Sequence, residues 1–134
     1  MTNTEKRFNK IANSRTFKNI LNKFDLGNKS VLDIGCSYGE FLCHFGEESV
    51  GLTIFNEEVE YGKLKGLDIR YSNIEDWDIE LDKKFDVIFA NNILEHLYSP
   101  HRFLIEIKKR RKSDGVLTLG VPCCAKIVSL LSLI

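Results

Sequence analysis

Short apolar runs alternate with helix-patterned stretches along most of this chain, and that alternation limits the fold more than any other feature. The first run is Val31-Leu32-Asp33-Ile34, ending at Gly35. Residues 49–54, 68–71, 85–90 and 115–121 form the others, and Phe85-Asp86-Val87-Ile88-Phe89-Ala90 is the most apolar. Such runs fit strands buried on both faces of a parallel sheet. Between them, residues 40–45, 56–66, 92–98 and 101–111 read as helical, the last two parted by Pro100. Asn56 is placed to cap the second helix, with Glu57, Glu58 and Glu60 in its first turn, where the helix dipole favours anions. Gly62 weakens that helix and Gly66 ends it. Ahead of the strands, residues 5–24 predict one helix, with Phe8, Ile11, Phe17, Ile20, Leu21 and Phe24 at three- and four-residue spacing and Gly27 as its stop. The whole pattern predicts an α/β fold, a parallel sheet with helices on both faces.

Ligands of such sheets bind beyond the carboxyl ends of the strands, so chemistry is expected just after Ile34, Thr53, Tyr71 and Ala90. After the first strand comes Gly35-Cys36-Ser37-Tyr38-Gly39-Glu40. Gly35 permits a sharp turn, and Gly39 lets the following segment start close to the sheet. Backbone N–H groups opening a helix can hold a carboxylate or phosphate. Asp33, at the end of a buried strand, is costly unless it is paired with loop N–H groups or a ligand ammonium.

The 134 residues suit one hydrophobic core, so the chain reads as a single domain with an N-terminal helical segment (1–30), a core (31–122) and an apolar tail (123–134). The tail begins what reads as another helix. Nineteen Lys and Arg balance nineteen Asp and Glu, which argues against electrostatic nucleic-acid binding by the whole protein. The balance hides a segregation. Residues 1–30 carry a net +5, residues 31–100 a net −10 and residues 101–134 a net +5. The basic run Lys108-Lys109-Arg110-Arg111-Lys112 closes a predicted helix, where cations offset the dipole, and has no interleaved aromatics. No nucleic-acid partner is expected. The longest apolar stretch has eight residues, 127–134, against the roughly 20 of a membrane span, so no span is expected. The N-terminus lacks an apolar signal core, and Cys36, Cys43, Cys123 and Cys124 form no C-x-x-C. A cytoplasmic location with reduced thiols follows as the expectation. His96 and His101 are five apart around Pro100 and would not share a helix face, so no metal site is expected.

Four segments in order carry a family resemblance. VLDIGCSYGEFL resembles the first motif of class I S-adenosylmethionine-dependent methyltransferases. GLTIFNEEVEYGK is similar to their second strand and helix, and FDVIFANNILEHLYSP to their fourth strand with the LEH that follows it in many small-molecule members. EIKKRRKSDGVLTLGVP resembles their next helix and fifth strand. The resemblance covers residues 30–122. It implies a Rossmann-like three-layer sandwich with a mainly parallel sheet in the order 3-2-1-4-5. Members usually continue into an antiparallel hairpin. This chain stops at Ile134, so the hairpin is expected to be lacking and the fifth strand to form an edge. Self-association through that edge or the apolar tail is a further expectation.

The resemblance also implies roles. S-adenosylmethionine would be the cofactor and S-adenosylhomocysteine the product, with a small-molecule acceptor. Asp33, Gly35, Cys36, Ser37 and Gly39 would wrap the methionine end, although Ser37 stands where the usual pattern has a glycine. Most members carry an acid at the end of the second strand; here that residue is Thr53. The cyclopropane fatty-acid synthase branch has a similar threonine, assisted by a glutamine five residues on. Glu58 holds that place, which implies a Thr53/Glu58 ribose clamp, though Glu58 also reads as a solvated charge at a helix start. Asn73 and Ile74 match the adenine-edge positions, Ile54 would pack on the adenine face, and Ala90 and Asn91 match the carbonyl position that receives the ammonium. His96 is the candidate general base, with a packing role as its alternative. A module that binds cofactor or a partner chain without turnover is the competing function. A nicotinamide-binding reading is weaker, because the loop lacks G-x-G-x-x-G.

Overall fold

A computed structural model of the chain describes residues 1–122, so the apolar tail lies outside the described residues. The elements are α1 (Asn3–Ala12), α2 (Arg15–Lys23), β1 (Val31–Ile34), β2 (Val50–Thr53), α3 (Asn56–Lys65), β3 (Ile69–Tyr71), β4 (Phe85–Asn91), α4 (Pro100–Arg110) and β5 (Arg111–Gly120). Short 3-10 turns lie at Leu26–Asn28, Leu42–His44 and Leu94–His96. The strands form one sheet in the order β3-β2-β1-β4-β5, and every pairing is parallel. Sheet order reverses beside β1, which therefore marks the switch point where such folds bind ligands.

The apolar runs explain the strands. All four residues of β1 and of β2 are buried, as are Phe85, Val87, Ile88, Phe89 and Ala90 of β4. Leu32, Ile34, Val50, Leu52, Ile88, Phe103 and Ile107 share one core cluster. A second cluster joins Phe17 of α2 to Val31, Val87 and Phe89 of the sheet.

Five expectations need correction. The N-terminal helix is two: Ser14 caps α2 by accepting from the Phe17 N–H at 3.2 Å, and the chain turns at Asn13. Residues 40–45 form no α-helix. They make a 3-10 turn that sends Phe41 and Phe45 onto Phe17, with ring centroids 4.1 and 5.9 Å away. Residues 92–98 likewise hold only the turn Leu94–His96. Asn56 is the first residue of α3 rather than its cap, a place taken by Phe55, which makes no side-chain capping bond. The fifth strand starts earlier than expected, at Arg111. Its pairing jumps from Phe85↔Arg111 to Val87↔Val116, so residues 112–115 bulge from the ladder.

Candidate cofactor cleft

Gly35 leaves β1 at φ 72, a left-handed conformation open to glycine at little cost. The N–H groups of Gly35 and Cys36 both donate to the Leu52 carbonyl, at 2.9 and 3.0 Å, and this fastens the loop across the end of β2. A Cβ on Gly35 would lie 2.9 Å from Cγ1 of Ile93, so the loop also needs glycine to let the post-β4 turn approach.

Above this loop opens a cleft of about 630 Å³, in the usual size range of a small-molecule site. It brings together Gly35, Ser37, Thr53, Ile54, Glu58, Asn73, Ile74 and His96. These residues come from the ends of four strands.

Glu58 sits in the first turn of α3 but is buried, at 8% exposure. Its carboxylate accepts from the Thr53 hydroxyl on one oxygen and from the Ser37 hydroxyl, at 3.1 Å, on the other. The solvated-charge alternative for Glu58 does not describe this environment. Thr53 also accepts from the Phe55 N–H at 3.2 Å, which sets the start of α3. Asn73 closes a turn: its carbonyl accepts from the Glu75 N–H at 3.1 Å and its amide donates to Asp76 at 3.0 Å. One lone pair of the Asn73 oxygen remains for a ligand. Glu75 accepts from the Tyr98 N–H at 2.8 Å and so ties the post-β3 turn to the post-β4 turn across the cleft.

The other candidates do not line the cleft. Cys36 packs with Leu42 and Ile69 in a core cluster and abuts Gly51, and burial, with nearby carboxylates, pushes its thiol far up. Gly39 serves packing, since a Cβ there would come within 2.7 Å of Leu67. Ala90 is buried in the sheet between Ile34 and Leu119, and Asn91 pairs with Gly120. Asp33 is buried directly beneath the loop, at 2% exposure, and its Oδ2 has no hydrogen-bond partner. Burial, helped by the charge of Glu40, pushes its carboxyl up to about 8. Glu40 is buried too, and burial raises it. The orphaned Oδ2 and the burial of the carboxyl suit a cationic partner.

The sequence reading missed Arg7. Its guanidinium donates to the Ser37 hydroxyl at 3.4 Å, lies 3.7 Å from Glu40 and stands over the Tyr38 ring. The net +5 of the N-terminal segment was the one signal for it. Phe55, Ser72, Glu75, Ile93, Leu97 and Tyr98 also line the cleft. Phe55, Ser72, Glu75 and Leu97 adjoin candidate positions, and Ile93 and Tyr98 lie two residues from one.

His96 sits on the rim with its side chain 75% exposed, 3.8 Å from Glu95. It is neither packed into a core nor engaged by a buried carboxylate. Of the basic run, Lys109 and Arg110 pair with Glu106, and Lys112 pairs with Asp86. Arg110 also covers the Trp77 ring at 4.3 Å.

The family described as "Methyltransferase domain" matches residues 4–130. The chain belongs to that family. Among curated relatives of this methyltransferase domain is the ubiquinone biosynthesis O-methyltransferase of Pelagibacter ubique, 31% identical over 71% of this chain and 42% of that protein. N-methyltransferase 4 of Papaver somniferum is 27% identical over 75% of the chain and 32% of that protein. The chain thus spans less than half the length of these relatives. Among solved structures, coclaurine N-methyltransferase bound to N-methylheliamine and SAH superposes with a TM-score of 0.67 at 18% identity, over 84% of this chain and 43% of that one. That likeness establishes the Rossmann-like methyltransferase fold. Among the described residues, no helix is long and apolar enough to cross a membrane.

Proposed function

We propose that this methyltransferase domain binds S-adenosylmethionine in the cleft above Gly35 and transfers its methyl group to a small-molecule acceptor, leaving S-adenosylhomocysteine. The observation that carries this reading is the meeting of Gly35, Ser37, Thr53, Glu58, Asn73 and Ile74 in one hollow. They descend from three separate motifs, and their chemistry suits a nucleoside bearing an amino acid. Buried Asp33 offers an unpartnered oxygen to an ammonium. Glu58, held by Thr53 and Ser37, offers carboxylate oxygens to a vicinal diol. The free lone pair of Asn73 accepts from an exocyclic amine, the Ile74 N–H donates to a ring nitrogen, and Ile54 supplies an apolar face.

When bound, the cofactor supplies an electrophilic methyl on a sulfonium. The chain's own work is to fix the acceptor in line, and orientation of this kind is worth up to about 7–11 kcal/mol. His96 takes the acceptor's proton where the acceptor is a hydroxyl; an acceptor without a proton to lose has no need of it. The relatives and the bound structural neighbour support this reading through what their own names state.

Titration calorimetry with S-adenosylmethionine, S-adenosylhomocysteine and NAD tests the cofactor. Uptake of the first two and not of NAD is expected. No heat with millimolar S-adenosylmethionine would remove the reading. Methyl transfer from labelled cofactor into a cell extract then tests turnover. A second reading, binding without turnover, is favoured by the openness of the cleft: Ile54, Phe55 and Tyr98 are 52, 55 and 97% exposed. Label that stays on the cofactor would select it. We assign the domain to the cytoplasm, checked by cell fractionation. Self-association through the β5 edge, where Val116 and Leu119 are 45 and 38% exposed, belongs to the same proposal. A monomer mass in sedimentation at high concentration would contradict it.

A further inference from the structure

We propose that Ser37 is a positioning residue whose hydroxyl holds the Glu58 carboxylate in place for the ribose diol of the bound nucleoside. The inference rests on the reading of the cleft given above. Three observations carry it. Ser37 has φ 53, in the left-handed region where a Cβ is strained and glycine is not. The chain thus keeps a side chain where the resembling pattern has a glycine, and where the backbone favours one. That side chain spans three segments. Its hydroxyl donates to Glu58 Oε1 at 3.1 Å and accepts from Arg7 Nη2 at 3.4 Å. Because an arginine N–H can only donate, it occupies a lone pair of Ser37 Oγ and leaves the hydroxyl proton for the carboxylate. Finally, Thr53 donates to the other oxygen of Glu58, so one oxygen is held from the glycine loop and the other from the end of β2.

A carboxylate at the end of a strand is fixed by its own short side chain. Glu58 reaches in from α3 on a longer one, with more rotamers to suppress. Ser37 and Thr53 are the two struts that suppress them, and Arg7 orients the first. Ser37 therefore acts on the nucleoside through Glu58.

The test compares wild type, Ser37→Gly and Ser37→Ala with two ligands: S-adenosylhomocysteine and its 2′,3′-dideoxy analogue, which lacks the ribose hydroxyls. Both variants are expected to bind S-adenosylhomocysteine about fivefold to tenfold more weakly, part of what a hydrogen bond to a charged group is worth, because Ser37 acts only by orienting Glu58. Ser37→Gly removes the backbone strain along with the bond, so its melting temperature should stay within about 3 °C of wild type. Ser37→Ala keeps the strain and should melt lower. With the dideoxy analogue, wild type and Ser37→Gly should agree within about twofold, since the diol that Glu58 receives is gone. Full S-adenosylhomocysteine affinity in either variant overturns the inference. So does an equal loss with the dideoxy analogue, which would mark a general effect on the loop. If wild type itself takes up no S-adenosylhomocysteine, the reading of the cleft fails first, before any variant is compared.

Discussion

Asp33 and Asp86 lie on neighbouring strands but face different surroundings, and pH acts on them in opposite senses. Asp86 accepts from the Ser30 N–H and hydroxyl, each at 2.9 Å, and from Lys112, and these donors pull its carboxyl down to about 2. Its contribution is present above its ordinary value of 3.8 and is lost as pH falls from there toward 2. Asp33 has no such donors, and burial raises it from 3.8 to about 8. The native state therefore binds a proton that the unfolded chain has released, and stability falls as pH rises through that window. Urea unfolding at pH 5 and pH 8 checks this: wild type should lose stability between the two, and Asp33→Asn should lose much less. A cationic ligand next to Asp33 restores its charge and expels the proton. Binding heats of S-adenosylmethionine at pH 6.5, approximately mid-window, should then differ between phosphate and Tris buffers. Equal heats would remove Asp33 from the ligand's contacts. Some of this chemistry was legible in the sequence. The Thr53/Glu58 pair was legible through the family resemblance, and in the fold the strand end and the first turn of α3 bring the two side chains together. Arg7 was not legible, because it meets Ser37 across 30 residues through tertiary packing.

The strands were readable as elements because apolar runs of four to seven residues have little alternative in a chain of this composition. The helices were less so. Residues 40–45 carry helical spacing, yet Phe41 and Phe45 gain more by turning onto Phe17 and Phe89 than by continuing a helix. Tertiary packing overrides spacing in such a short segment. Gly62 shows the same limit. Read alone, it only weakens α3. In the fold it lets α3 lie against β3, since a Cβ there would come 2.7 to 3.0 Å from three atoms of the Ile69 side chain. Gly62→Ala should gain about 1 kcal/mol of helix propensity and lose about 1–3 kcal/mol to overpacking. A lower melting temperature is therefore expected. A raised one would mean that Ile69 has room to move and that the α3–β3 contact is loose.

Across the whole molecule, the N-terminal helices serve the core and, through Arg7, brace the glycine loop beneath the cleft. Phe17 stacks on Phe41 and meets Phe89 edge-on, and His44 Nε2 lies 2.8 Å from the Ala12 carbonyl. Phe17→Ala should cost about 3–5 kcal/mol, read as a shift in the urea midpoint. Among the described residues, the acidic middle and basic ends of the sequence meet at two ion pairs, Arg7–Glu40 and Lys112–Asp86. The first joins α1 to the glycine loop, so the charge segregation is part of how the site is assembled. The account's central claim is that the hollow over β1 receives the nucleoside. Backbone amide chemical shifts, followed while S-adenosylhomocysteine is titrated into the isotope-labelled chain, test it most directly. The account predicts shifts centred on Gly35, Ser37, Thr53, Asn73 and Ile74, with Gly115 and Leu117, which line a separate hollow between α4 and β5, unmoved. Shifts centred on Gly115 and Leu117, or no shifts at millimolar ligand, would contradict it.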